Sequence, residues 1–93
     1  MTVLDAPSLA GSRDTAQQLL RALPHDLSDA EVILDCGGLL AATVSFADEL
    51  VHEILVVRHA RALRVVRVSD DEFGEYLAQR ATEHEVSDRL SVA

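Results

Sequence analysis

Glu31-Val32-Ile33-Leu34-Asp35-Cys36-Gly37-Gly38 is the stretch that decides the fold. Its alternation puts Val32, Leu34 and Cys36 on one side and Glu31, Ile33 and Asp35 on the other. That is the two-residue period of a strand with one fully apolar face and one partly polar face. Gly37-Gly38 ends the strand and frees the backbone for a tight loop. Upstream, Ser12 reads as the N-cap of a helix running to about Leu23. Ala16, Leu19, Leu20 and Leu23 share its inner face, Asp14, Gln17, Gln18 and Arg21 face out, and Pro24 stops it.

Downstream, Leu39–Val44 is small and apolar without a clear period. Ser45-Phe46-Ala47-Asp48-Glu49 then reads as a helix start, the serine capping free amides and the acids complementing the dipole. This helix is expected to run to Arg58 or His59, burying Phe46, Ala47, Leu50, Val51, Ile54 and Val57. Asp48, Glu49, His52, Glu53 and His59 stay in water. Arg61–Val68 is a β-branched strand with interspersed arginines, Arg61 and Arg67 on one face and Arg64 on the other. Ser69-x-x-Glu72 is a second capping box, opening a helix over Asp71–Thr82 that buries Phe73, Leu77 and Ala81. Thr2–Asp5 suits a short edge strand, and the polar tail 83–93 suits a short helix or a frayed end.

Helices alternating with strands imply crossovers and a small, mostly parallel or mixed sheet. Asp35 and the strand arginines leave one sheet face wet, so the helices are expected to pack on the other. The fold class expected is α/β, a two-layer sandwich forming a single domain over residues 1–93 with its core at about 12–82. A chain of 93 residues and 48% hydrophobic composition suffices for one modest core.

Eight basic residues against sixteen acidic ones give a net charge of −8, which argues against nucleic acid as a partner. All eight are arginine, which removes Schiff-base chemistry and a phosphate-binding lysine, and hints at a GC-rich, bacterial source. One cysteine cannot form an internal disulfide. No apolar run reaches the ~18–20 residues of a membrane span, and the N-terminus lacks a basic and then apolar leader. The expectation is a soluble cytoplasmic protein without a membrane partner.

Ligand sites in open α/β sheets lie at the carboxyl ends of the strands, here Asp35-Cys36-Gly37-Gly38 and Ser69-Asp70. The glycine spacing matches no nucleotide fingerprint. His52 and His59 are two turns apart, too far to share a metal, and no paired Cys/His spacing exists, so no metal or other cofactor is expected. Cys36 alternates with core residues while His52 faces away from the core, so Cys36 reads as a small buried residue rather than a nucleophile. Arg58, Arg61, Arg64 and Arg67 read as a salt-bridge surface facing the acidic helices. An enzyme is not expected.

The run Val32-Ile33-Leu34-Asp35 through Ser45-Phe46-Ala47-Asp48-Glu49-Leu50 resembles the STAS-like family, relatives of the STAS domains of sulphate transporters and anti-sigma factor antagonists. Members carry a hydrophobic–Asp–small–Gly strand end, a short loop and a Ser/Gly-Phe-x-Asp-Glu-Leu helix start. The likeness spans about residues 12–82 and includes Ser12-Arg13, Ala16 and Leu19-Leu20. It implies a sheet with helices on one side and function through protein contact. In the antagonists a serine at that helix start is phosphorylated by a partner kinase, and Ser45 takes this position. Antagonists read Asp-Ser-Ser-Gly there, whereas this chain reads Thr43-Val44-Ser45-Phe46.

The leading functional expectation is a non-enzymatic regulatory, signalling module that binds a protein, with a histidine-kinase-like ATPase acting as serine kinase the partner type implied. Its contact loop would comprise Asp35, Gly37, Gly38, Thr43, Ser45, Phe46, Asp48 and Glu49, with Ser45 as phosphoacceptor and Leu55 and Val56 as exposed apolar contacts. The alternative is a small-ligand or nucleotide sensor with its pocket at Gly37–Ser45 and Ser69-Asp70. A homodimer that buries a sheet edge is also open.

Overall fold

A computed structural model describes residues 2–93; Met1 lies outside the described residues. It is an α/β two-layer sandwich. The strands are β1 (Thr2–Asp5), β2 (Leu9–Ala10), β3 (Glu31–Asp35), β4 (Ala41–Ala42), β5 (Ala62–Val66) and β6 (Leu90–Val92). The helices are α1 (Arg13–Leu20), α2 (Val44–Val51) and α3 (Asp71–Glu83). β1, β3, β5 and β6 form one sheet in that order, and every neighbouring pair is parallel. β2 and β4 form a separate parallel pair. Strand order advances in one direction, and crossovers between parallel strands are right-handed. All three helices therefore stack on the same face.

That face holds Leu4, Val32, Leu34, Leu63 and Val65, all buried, against Ala16, Leu20, Phe46, Leu50, Phe73 and Leu77 of the helices. Phe46 and Phe73 meet with centroids 6.0 Å apart at 40°, joining α2 to α3. Such a tilted pair adds about 1 kcal/mol beyond its burial. β3 has the expected alternation, with Val32 and Leu34 buried and Glu31, Ile33 and Asp35 half-buried on the other face.

Four local expectations are corrected. α1 stops at Leu20 rather than Leu23, because Pro24 has no N–H to offer the Leu20 carbonyl. The Leu23 N–H and Arg58 donate to that carbonyl instead, both at 3.0 Å, and Arg58 donates to the Leu23 carbonyl at 3.3 Å. α2 begins one residue before Ser45 and continues after Val51 as a π-helical segment, His52–Val57, closed by Arg58 N–H on the Glu53 carbonyl at 2.9 Å. The wider turn rotates the chain against its α-helical register. Leu55 turns into the core and Val57, expected inside, is 49% exposed. His59 then leaves the helix with φ of 60°, a left-handed conformation. Thirdly, the tail is ordered: a 3-10 turn, Ser87–Arg89, leads into β6, which extends the sheet. Lastly, no glycine has a positive φ, so Gly37-Gly38 does not serve the loop through left-handed backbone.

Candidate functional site

The carboxyl ends of β3 and β5 bring Asp35 and Arg67 together. Arg67 Nε and Nη2 donate to Asp35 Oδ1 and Oδ2, both at 2.8 Å, a bidentate pair across neighbouring strands. The Gly37 N–H donates to Asp35 Oδ1 at 2.9 Å, an Asx-type turn that fixes the loop entry. These bonds, Arg67 first and Gly37 second, outweigh partial burial and hold the Asp35 carboxyl below its ordinary range. A Cβ at Gly37 would lie 2.5 Å from the Arg67 guanidinium carbon, so the arginine lies flat over the glycine backbone, and a larger residue there would push this exposed, flexible side chain aside. Arg67 itself has φ of 57°, which breaks strand alternation and carries it to the face of Asp35 and Arg64.

Cys36 next to this pair is buried, and desolvation, helped by the Asp35 charge, pushes its thiol up to about 11. At neutral pH it stays a thiol, a poor nucleophile. Its contacts are those of a small core residue.

Around the start of α2 the candidate residues separate into distinct jobs. Thr43, not Ser45, is the N-cap: its hydroxyl accepts from Phe46 N–H at 3.2 Å. Ser45 is the second residue of the helix, half-buried, in the turn whose amides lack intrahelical partners. Phe46 is fully buried and is core. At the second box Asp70, not Ser69, caps α3, accepting from Glu72 N–H at 3.0 Å.

Asp48 and Glu49 bind the three helices together. Asp48 accepts from Arg13 of α1 at 2.8 Å and pairs with His84, at the end of α3, at 3.1 Å. Glu49 accepts from Arg13 at 3.3 Å and from Gln17. Burial pushes the Asp48 carboxyl up, but the hydrogen bonds and charges of Arg13 and His84 prevail and leave it lowered. The His52 ring lies 5.3 Å from that of His84. Among the described residues no group of three or more His, Cys, Asp or Glu side chains is arranged to hold a metal ion. Arg13, Gln17 and His84 were not anticipated here, because their partners lie 32 to 36 residues away.

The surface near Ser45 is apolar. Leu9 is 68% exposed, Leu40 76% and Val44 37%. Leu9 is in β2, Leu40 directly precedes β4 and Val44 opens α2, and a depression of about 130 Å³ lies between Leu9–Gly11 and Ala41–Thr43. Of the two apolar contacts expected further along the helix, Leu55 is fully buried and Val56 is half-buried against the core, a consequence of the π-helical turn. A larger open depression, about 440 Å³, lies between α3 and β6, lined by Val68, Asp71, Gly74 and Glu75 with Val92 and Ala93, and not at Gly37–Ser45.

The arginine cluster also divides otherwise than expected. Arg64 and Arg67 pair with the strand acids Glu31 and Asp35 rather than with helix acids, and Arg58 is buried. No helix among the described residues is long and apolar enough to cross a membrane. No family model, no curated protein and no solved structure matches the chain.

Proposed function

We propose that this chain is a non-enzymatic regulatory module that binds a protein partner through the start of α2, in the manner of STAS-like domains. The observation that carries the reading is the exposure of Leu9, Leu40 and Val44 on β2, before β4 and at the start of α2, the helix that carries Ser45. Apolar residues grouped on one exposed rim are what a protein partner covers, whereas scattered ones are ordinary. Ser45 supplies the switch. A phosphate on it lies in the first turn of α2, near amides without intrahelical partners and the positive end of the helix dipole. The neighbouring acids oppose it less than their sequence positions suggest, because Asp48 and Glu49 are already engaged by Arg13, His84 and Gln17. The partner type that fits is a histidine-kinase-like ATPase acting as a serine kinase.

The test is a pull-down from source-cell lysate with wild type, Leu40→Asp and Ser45→Asp, read by mass spectrometry. An ATPase of the kinase type held by wild type and lost with both variants supports the reading. If all three baits retain the same protein, the rim and Ser45 have no part in binding. A phosphate acquired by wild type but not by Ser45→Ala, on incubation with the captured ATPase and ATP, establishes the switch.

A further inference from the structure

The main sheet is covered by helices on one face only, although all-parallel sheets occur almost entirely with both faces covered. None of the outward-pointing residues on its four strands is buried. Charge on this open face is sorted by strand. The acids Asp5, Glu31 and Asp35 stand on β1 and β3, while Arg64 stands on β5 and Arg67 just beyond it. Val3, Ile33 and Val66 supply apolar surface between them. Two arginines against three acids leave the face nearly neutral on a chain that carries −8.

We propose that a second copy of the chain covers this face, in a dimer whose two-fold axis runs parallel to the strands between β3 and β5. That operation is the one that matches the charge pattern. It swaps left and right while keeping position along the strands, so acidic β1 and β3 of one copy lie on β5 and β6 of the other. By register Ile33 then lies level with the partner's Arg64 and Asp35 with the partner's Val66, and the long Arg64 and Arg67 side chains, which already extend to Glu31 and Asp35 of their own chain, reach the same acids of the partner. Each intrachain pair, Arg67–Asp35 at 2.8 Å and Arg64–Glu31 at 3.3 Å, becomes part of a four-charge network. A two-fold axis across the strands would instead lay acid on acid. Copies of a chain this acidic repel one another elsewhere, so the near-neutral, self-complementary face is where they meet. Four strands at ~4.8 Å spacing and about five residues at ~3.3 Å rise make a patch of roughly 19 by 17 Å. Two such faces bury roughly 650 Å², below the ~1,200 Å² at which stable specific interfaces begin, so the dimer is weak and concentration-dependent.

Sedimentation velocity with the full chain, between about 10 µM and about 1 mM, tests this at micromolar-to-millimolar affinities. Mass is expected to double with concentration at about 50 mM salt and to stay monomeric at about 500 mM salt, where the Debye length falls from ~14 to ~4 Å. The double variants Arg64→Glu/Arg67→Glu and Glu31→Arg/Asp35→Arg are each expected to be monomeric alone and to form a heterodimer when mixed. Val3→Arg, at an exposed site with folding checked by circular dichroism, is a separate probe expected to abolish the dimer. Wild type that remains monomeric at the highest concentration overturns the proposal. So does a dimer untouched by Val3→Arg and Arg64→Glu/Arg67→Glu, because pairing through the β1 edge or the β2–β4 rim would survive them.

Discussion

At the amino ends of the strands, enclosed Arg58 and half-buried Arg89 donate to backbone carbonyls, whereas at the carboxyl ends exposed Arg67 holds Asp35. Arg58 is only 7% exposed and caps the end of α1 through Leu20, Leu23 and Pro24. Arg89 reaches Ala60 at 2.8 Å and Leu55 at 2.9 Å, closing the end of the π-helical segment. The Arg67 side chain is 68% exposed. The residue type is the same, and burial changes its role. Carbonyls covered by a guanidinium cannot regain water when it is removed, so those arginines are structural. An exposed ion pair is replaced by water at little loss, which leaves it free to recognise something else.

The contrast is broken most directly at Arg58. Arg58→Ala should lower stability by about 3 kcal/mol, because it takes the guanidinium from the Leu23 carbonyl and from Glu53 and leaves the Leu20 carbonyl only the Leu23 N–H. A urea midpoint close to wild type would mean that water reaches the end of α1 and that the amino-end arginines are no more structural than Arg67.

Arg89→Ala should cost less, about 1–2 kcal/mol, since two carbonyls lose a half-buried donor. It should also loosen β6, so limited proteolysis should cut first within residues 84–93. An unchanged digestion pattern would show that backbone pairing with β5 alone holds the tail.

Acid sharpens the comparison at the helix clasp. The folded-state values of Asp48 and Asp35 are lowered from an ordinary 3.8. Their contribution is therefore present above that value and lost as pH falls through the lowered one. Wild type should lose stability between about pH 5 and about pH 2, and Asp48→Asn should flatten that loss. Asp35 and Asp26, also lowered, keep part of it. Acid limbs of equal slope would remove Asp48 from the account.

Arg67→Ala should have the smallest effect in dilute solution, a midpoint shift near the error of measurement that vanishes in about 0.5 M salt. A large, salt-insensitive loss would make the carboxyl end structural as well and erase the contrast.

Much of the fold was legible because it rests on short-range pattern. Glu31–Asp35 alternates, Ser12 caps α1 as read, with its hydroxyl accepting from Thr15 N–H, and Thr2–Asp5 is an edge strand. Less of the candidate site was legible. Thr43 and Ser45 are equally good caps by type, and which one is used depends on where the β2–β4 pair delivers the chain, with Thr43 N–H bonded to the Ala10 carbonyl at 3.0 Å. Leu55 and Val57 were exchanged because the signal for a π-helical turn is not apolar periodicity but the fit of the segment's end against Ala30 and Leu27. The tail 83–93 looked polar because β6 is a short strand with one neighbour, and its pairing partner lies in β5.

The sequence by itself determined the alternation of strands and helices, the apolar face of each, and a two-layer arrangement with one sheet face wet, since these follow from hydrophobic period and crossover geometry. Only the tertiary structure decided the roles of the charged residues. Whether an arginine caps buried carbonyls, as Arg58 does, or pairs in water, as Arg67 does, depends on which distant backbone surrounds it. Coulomb and hydrogen-bond energies are set by that surrounding dielectric, and no local spacing of residues encodes it.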